Sequence, residues 1–206
     1  MSAELRSDYI YRGVSLSDNR STLGLTVAID GRGGVYGGAS AFGEDAEGLG
    51  PRGLGAVEYL GFALRPAQGP NLDFGVNNLS YTGYGYLRRT VDATDLYAGL
   101  LWPAWTVYLH YSPNYFSPGD RQLYAEANGS VKLAGPVKLI GHVGLLAGVD
   151  GHPGQSPKAD VRAGIAARFK RGEIRLFWSS IRPNPLYSSD GERRAGELAV
   201  EFVGDF

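Results

Sequence analysis

Charged residues at two-residue spacing are the first chemistry this chain offers. Lys132, Lys138, His142, Arg162, Arg168, Lys170 and Arg175 make a basic set, and Glu197, Glu201 and Asp205 an acidic one. Near the start, Glu4, Arg6, Asp8 and Arg12 repeat the spacing with both signs, and Asp30, Arg65, Asp73 and Glu126 lie between. Residues two apart on a strand point the same way, so each set would share a face. Lining a passage, a basic arc beside an acidic arc would set ion selectivity. If the charges neutralise one another, they would seal the passage instead. The sequence leaves both readings open.

Other constellations are weaker. His110 and Ser112 share a strand face, at the spacing with which some outer-membrane lipid esterases activate a Ser nucleophile. Such an esterase needs the pair facing lipid, whereas Trp105, Val107, Leu109 and Tyr111 occupy the apolar face here and turn His110 and Ser112 the other way. Glu44, Asp45 and Glu47 could gather oxygens around a divalent cation. Tyr81, Tyr84 and Tyr86 could stack on sugars or anchor at an interface. Gly31-Arg-Gly-Gly34 and Gly83-Tyr-Gly85 lack the following helix that a phosphate loop needs. No cofactor and no metal site is expected.

The elements that must position these groups are strands. The chain is rich in Gly (31) and Tyr (13), a β composition with many turns. No Cys is present, which removes disulfides and thiol chemistry, and a net charge of -1 argues against a nucleic-acid partner. No apolar run is long enough for a membrane helix. Segments of about ten residues alternate instead, as transmembrane strands do. Leu23, Leu25, Val27 and Ile29 alternate with Thr22, Gly24, Thr26 and Ala28, and Val161, Ala163, Ile165 and Ala167 with Arg162, Gly164 and Ala166. The last strand carries Leu198, Val200, Phe202 and Phe206 on one face and Glu197, Glu201 and Asp205 on the other.

About twelve such strands fit, joined by connections that alternate long and short. Segments 13–21, 44–55, 82–93, 113–121, 148–159 and 182–192 are the long ones. This pattern predicts one closed antiparallel transmembrane β-barrel over residues 1–206, with both termini periplasmic. Trp102, Trp105, Phe169 and Phe206 would form one interfacial belt, and Tyr11, Tyr111 and Trp178 the other. Unpaired backbone in hydrocarbon is costly, so the first strand, expected over 4–12, must pair with the last. Arg6 and Arg12 would then face the acidic row. The start, Met1-Ser-Ala-Glu-Leu, has no apolar export segment, so a mature form whose signal has been removed is expected.

The segment Ser7-Asp-Tyr-Ile-Tyr-Arg-Gly-Val-Ser15, followed by Ser17-Asp18, resembles the opening motif of the TorF-type porin family of Gram-negative outer membranes. Tyr111-Ser-Pro-Asn-Tyr115, Tyr124, Glu126 and His142-Val-Gly144 resemble its later strands, with Asn114 where the family has an acid. The resemblance implies a barrel and a channel but no substrate. The expectation is a non-enzymatic outer-membrane channel for small hydrophilic solutes or ions. Its lumen would be lined by Arg6, Asp8, Arg12, Glu126, Lys132, Lys138, His142, Arg162, Arg168, Arg175, Glu197 and Glu201. Expected partners are outer-membrane lipid, lipopolysaccharide and, through the C-terminal strand, the barrel-assembly machinery. A structural or binding barrel with a plugged lumen is the alternative, with a lipid esterase behind it.

Overall fold

A computed structural model describes residues 1–46, 50–84, 89–149, 157–182 and 196–206. Twelve of its strands close into one antiparallel barrel. In chain order the strands are β1 (Ser2–Arg6), β2 (Ile10–Tyr11), β3 (Val14–Ser15), β4 (Thr22–Asp30), β5 (Val35–Ala46) and β6 (Gly50–Leu64). They continue with β7 (Asn71–Tyr84), β8 (Arg89–Leu101), β9 (Trp105–Ser112), β10 (Gln122–Ala134) and β11 (Val137–Gly148). The last are β12 (Lys158–Phe169), β13 (Gly172–Arg182) and β14 (Glu197–Asp205). Each barrel strand pairs with its neighbour in sequence, and β1 closes the ring between β4 and β14, with Leu5 opposite Leu23 on one side and Phe202 on the other. Each barrel strand thereby has a neighbour on both sides. The strands β2 and β3 form a separate two-stranded sheet.

The faces are inverted relative to a soluble protein. Leu25, Ile29, Leu60, Leu96, Val131, Leu145 and Leu198 are each at least half exposed on the outside. Asp95, Asp160, Glu173, Glu201 and Ser112 are buried within. Alternation produces this because the pleat sends every second side chain to the same face. Asn128-Gly129 lies inside a continuous β10 and both residues pair with β9 and with β11, so no hairpin turn forms there.

Three expectations are corrected. The expected first strand, 4–12, ends at Arg6, and the chain then leaves the wall. The expected long connections at 44–55 and 82–93 are largely strand, since β5 and β6 stay paired to Ala46 and Gly50 and β7 and β8 to Tyr84 and Arg89. Gly-rich and polar sequence there breaks the apolar alternation, and the ladder continues past a register shift in each pair, at Phe42/Gly43 and between Tyr81 and Tyr84. The belts also need revision. Trp102 and Trp105 stack at 3.8 Å beside their short turn, but Tyr11 packs inside the barrel with Phe116.

Candidate functional site: a lumen crossed by an inward hairpin

Residues 7–21, between β1 and β4, fold into the barrel. The strands β2 and β3 are joined by Arg12 and Gly13, both at positive φ (47° and 75°), as a two-residue I′-type turn requires. Gly13 is needed for a second reason: a Cβ there would lie 2.6 Å from Asp160 Cβ and 2.9 Å from Ile181 Cβ, on the β12–β13 wall. On the opposite wall, Leu16 packs with Phe42, Leu54, Leu79 and Tyr81 in an apolar cluster, and Tyr81 Oη donates to the Leu16 carbonyl at 2.7 Å. Tyr9 stacks on Phe42 at 4.1 Å. Ser7 N donates to the Val200 carbonyl on β14 at 2.9 Å. The segment therefore touches β5 to β7 on one side and β12 to β14 on the other, spanning the lumen.

Polar groups lock the hairpin. Asp8 Oδ1 accepts from Ser15 Oγ at 2.6 Å and Ser17 Oγ at 2.7 Å, and Tyr9 N donates to Ser17 Oγ at 2.9 Å. Arg12, at the tip, reaches Asp95 on β8, Nη2 to Oδ2 at 2.6 Å, with side chains only 6% and 1% exposed. Its guanidinium also lies over Tyr124 at 4.4 Å, Tyr11 at 5.0 Å and Tyr115 at 5.4 Å. Burial pushes the Tyr115 phenol up to about 12 against the opposing pull of Arg12. It stays neutral at ordinary pH, so the charge of Arg12 is balanced by Asp95.

Beneath the hairpin the wall divides by chemistry. From β11 to β1 runs a ladder of ion pairs. Lys138 meets Glu173 at 2.9 Å, Glu173 meets Arg175 at 2.6 Å, Arg175 meets Glu201 at 2.9 Å, Glu201 meets Arg6 at 2.6 Å, and Arg6 meets Glu4. A chain of this kind couples its members, since removing one link leaves a half-buried charge unmatched. From β5 to β9 the wall is aromatic. Tyr36 Oη donates to Asp73 Oδ1 at 2.6 Å and lies 2.6 Å from Tyr97 Oη, while Tyr108 Oη donates to Asp73 Oδ2 at 2.8 Å.

Glycines explain how the rings fit. A Cβ on Gly38 would strike Tyr59, on Gly61 Tyr36, on Gly75 Tyr97, on Gly99 Tyr108 and on Gly144 Tyr124. Each ring thus lies flat against the wall over a neighbouring strand's glycine. Between the two walls sits a polar chain. His142 contacts Asp160 at 2.8 Å and Asn128 at 2.7 Å, and Glu126 stands 3.9 Å from His142 and 3.8 Å from His110.

The remaining named residues fall as follows. Arg162 lies 4.5 Å over the Phe177 ring. Lys132 is exposed, and Arg168 pairs with Asp205 at 3.2 Å in an exposed position. Glu197 is 3.0 Å from the Asn19 amide when that amide is oriented to donate. Arg6 does meet the acidic row, but Arg12 does not, because the chain turns inward after Arg6. His110 and Ser112 both point inward without a hydrogen bond joining them; Ser112 Oγ donates instead to the Thr94 carbonyl at 2.9 Å. Glu44 is buried against Arg52 and Arg20, while the adjacent Asp45 is exposed, so the two do not converge, and Glu47 lies outside the described residues. Tyr86 and the Tyr84 side chain lie outside them too. Sequence reading passed over Asp95, Tyr36, Tyr97 and Tyr108. For Asp95, Tyr97 and Tyr108 the available signal was phase, opposite to Leu96, Ala98, Leu100 and Leu109, whereas Tyr36 lies on a Gly-rich strand without a clear apolar face.

Over residues 1–176, which include the inward hairpin, the sequence matches the family described as "Bacterial protein of unknown function (Gcw_chp)". The chain belongs to this family. No curated protein is a significant match to this Gcw_chp member. Its barrel is similar to solved porin structures at very low identity. The KdgM porin aligns with a TM-score of 0.61 and 10% identity, covering 100% of this chain and 99% of that one. A KdgM porin in complex with disordered oligogalacturonate gives 0.58 and 10%, covering 100% and 99%. The NanC porin gives 0.59 and 8%, covering 99% and 98%. At such identity the likeness concerns the fold.

Proposed function

We propose that this Gcw_chp chain is an outer-membrane channel protein for passive diffusion of small hydrophilic solutes or ions, with no covalent step. The observation that carries the reading is the closed barrel, apolar outside and lined with charges and tyrosines inside. An oily exterior suits hydrocarbon, where only closed barrels and helices satisfy their backbone. The porin folds it shares and the TorF-type resemblance of its opening motif support the same reading. The short turns and both termini would face the periplasm, and the outer rim lipopolysaccharide. Assembly through the C-terminal strand would suit the β1–β14 seam. Arg6, Glu126, Lys138, His142, Arg162, Arg175 and Glu201 would line the path, with Asp8 and Arg12 in its constriction and Lys132, Arg168 and Glu197 towards its rims.

One observation favours a second reading: residues 7–21 cross the lumen, which suits a plugged structural or binding barrel. Conductance of refolded protein in a planar bilayer separates the two. Stepwise, reproducible current is the expected result. A folded barrel that stays silent over a range of voltages would remove the channel reading and leave the plugged one. An esterase gains no support from the unconnected His110 and Ser112.

A further inference from the structure

Arg162 stands apart from the other cations beneath the hairpin. Arg6, Arg12, Lys138 and Arg175 each have a carboxylate oxygen within 2.9 Å. Arg162 has no such ion pair among the described residues, and its Nε is buried without a hydrogen-bond partner. Phe177 supports one face of the guanidinium at 4.5 Å. A stacked guanidinium keeps its donor edge free for a planar acceptor. An orphaned buried donor is costly, and such a site is satisfied when a ligand supplies the acceptor.

A cavity of about 200 Å³ adjoins it, lined by Arg162, Lys138, Arg175, Glu173, Asn128 and Phe177 among others. Lys138, Arg162 and Arg175 line it together with one carboxylate, Glu173, which Lys138 and Arg175 share, and Arg175 is paired beyond the cavity with Glu201 as well. Asn128 Nδ2 makes only a long 3.4 Å contact to Glu126, leaving an amide that a hydroxyl could use. The cavity opens to the lumen and has room for a small organic acid.

We infer that Arg162 is an anion-binding residue in this lumen, and that its cavity takes a small hydroxylated carboxylate. The carboxylate meets the guanidinium edge, Lys138 offers a second cation at the cavity wall, and the Asn128 amide donates to a hydroxyl. This rests on the channel reading for its physiological meaning but not for its geometry.

Gluconate is a suitable probe. Potassium gluconate is titrated calorimetrically into refolded, detergent-solubilised protein at low ionic strength, with sorbitol as the uncharged control. Saturable binding that weakens with added salt is expected, with none for sorbitol. Arg162→Gln should weaken it by about tenfold or more, Arg162→Lys by less, and Lys138→Gln to an intermediate degree. Each variant is first checked for the heat-modifiable gel shift of a folded barrel, so Lys138→Gln carries the test if Arg162→Gln does not fold. Wild-type protein indifferent to gluconate, or folded variants that bind it as wild type does, would overturn the site. A barrel that conducts in a bilayer yet ignores gluconate removes the site and keeps the channel. One that binds gluconate yet stays silent keeps the site and removes the channel.

Discussion

Arg12 and Asp95 meet inside the barrel, 83 residues apart in sequence, at 2.6 Å between Nη2 and Oδ2. One sits at the tip of the inward hairpin and the other on β8. Removing either partner leaves the other charged and buried, a loss of about 3–5 kcal/mol for a pair of this kind. Arg12→Ala should therefore lower the temperature at which the folded gel band is lost. It should also raise single-channel conductance, because the hairpin loses its hold on the wall. Unchanged conductance and stability together would show that the hairpin is held without this pair.

Leu16 and Leu54 test the apolar side of the same anchor. Leu54 is fully buried and Leu16 nearly so. Leu54→Ala should cost about 2–5 kcal/mol through lost contacts and the cavity left behind. Denaturant titration in detergent micelles reads this directly, and a change well under 1 kcal/mol would mean the cluster is not packed as described.

The Tyr–Gly pairs make a prediction about the aromatic wall. Gly75→Ala would drive a methyl group into the Tyr97 ring, and overpacking of this kind costs about 1–3 kcal/mol. Tyr97→Ala in the same chain should relieve part of that cost, giving a non-additive cycle. Strict additivity would place the clash elsewhere, for instance at the nearby Leu60 carbonyl.

At the seam, Arg6 bridges Glu201 and Glu4 across β1 and β14. Arg6→Ala should lower the thermal stability of the folded band modestly, on the order of 1 kcal/mol, because Arg175 still covers Glu201 and the pair is partly solvated. Raising the salt concentration should shrink the difference between variant and wild type. A difference that grows with salt would argue against an electrostatic role.

Much of the barrel was legible because a pleated strand writes its two faces into the sequence as alternation. Leu23 to Ile29 and Leu198 to Phe206 show this without help from tertiary structure. The inward hairpin was not legible in the same way. Leu5, Tyr9 and Tyr11 fall in one phase of an alternating strand, so the stretch reads as more wall. What folds it back on itself is a pair of positive-φ residues, Arg12 and Gly13, and what holds its tip is a partner, Asp95, that only the closed ring brings near. The motif that carried the family resemblance is this hairpin. The tyrosine wall was hidden for a related reason. Which ring lies over which glycine is a property of cross-strand register, and composition reveals only that both residue types abound.

The flat rings have a mechanical consequence. Where Tyr59, Tyr36, Tyr97 and Tyr108 rest on glycine, strand spacing sets how far back each ring can lie. The facing side is built of lysine and arginine stems, which bend and re-pair at little cost. A solute entering this barrel would therefore slide along a stiff rail while a compliant wall adjusts to its shape.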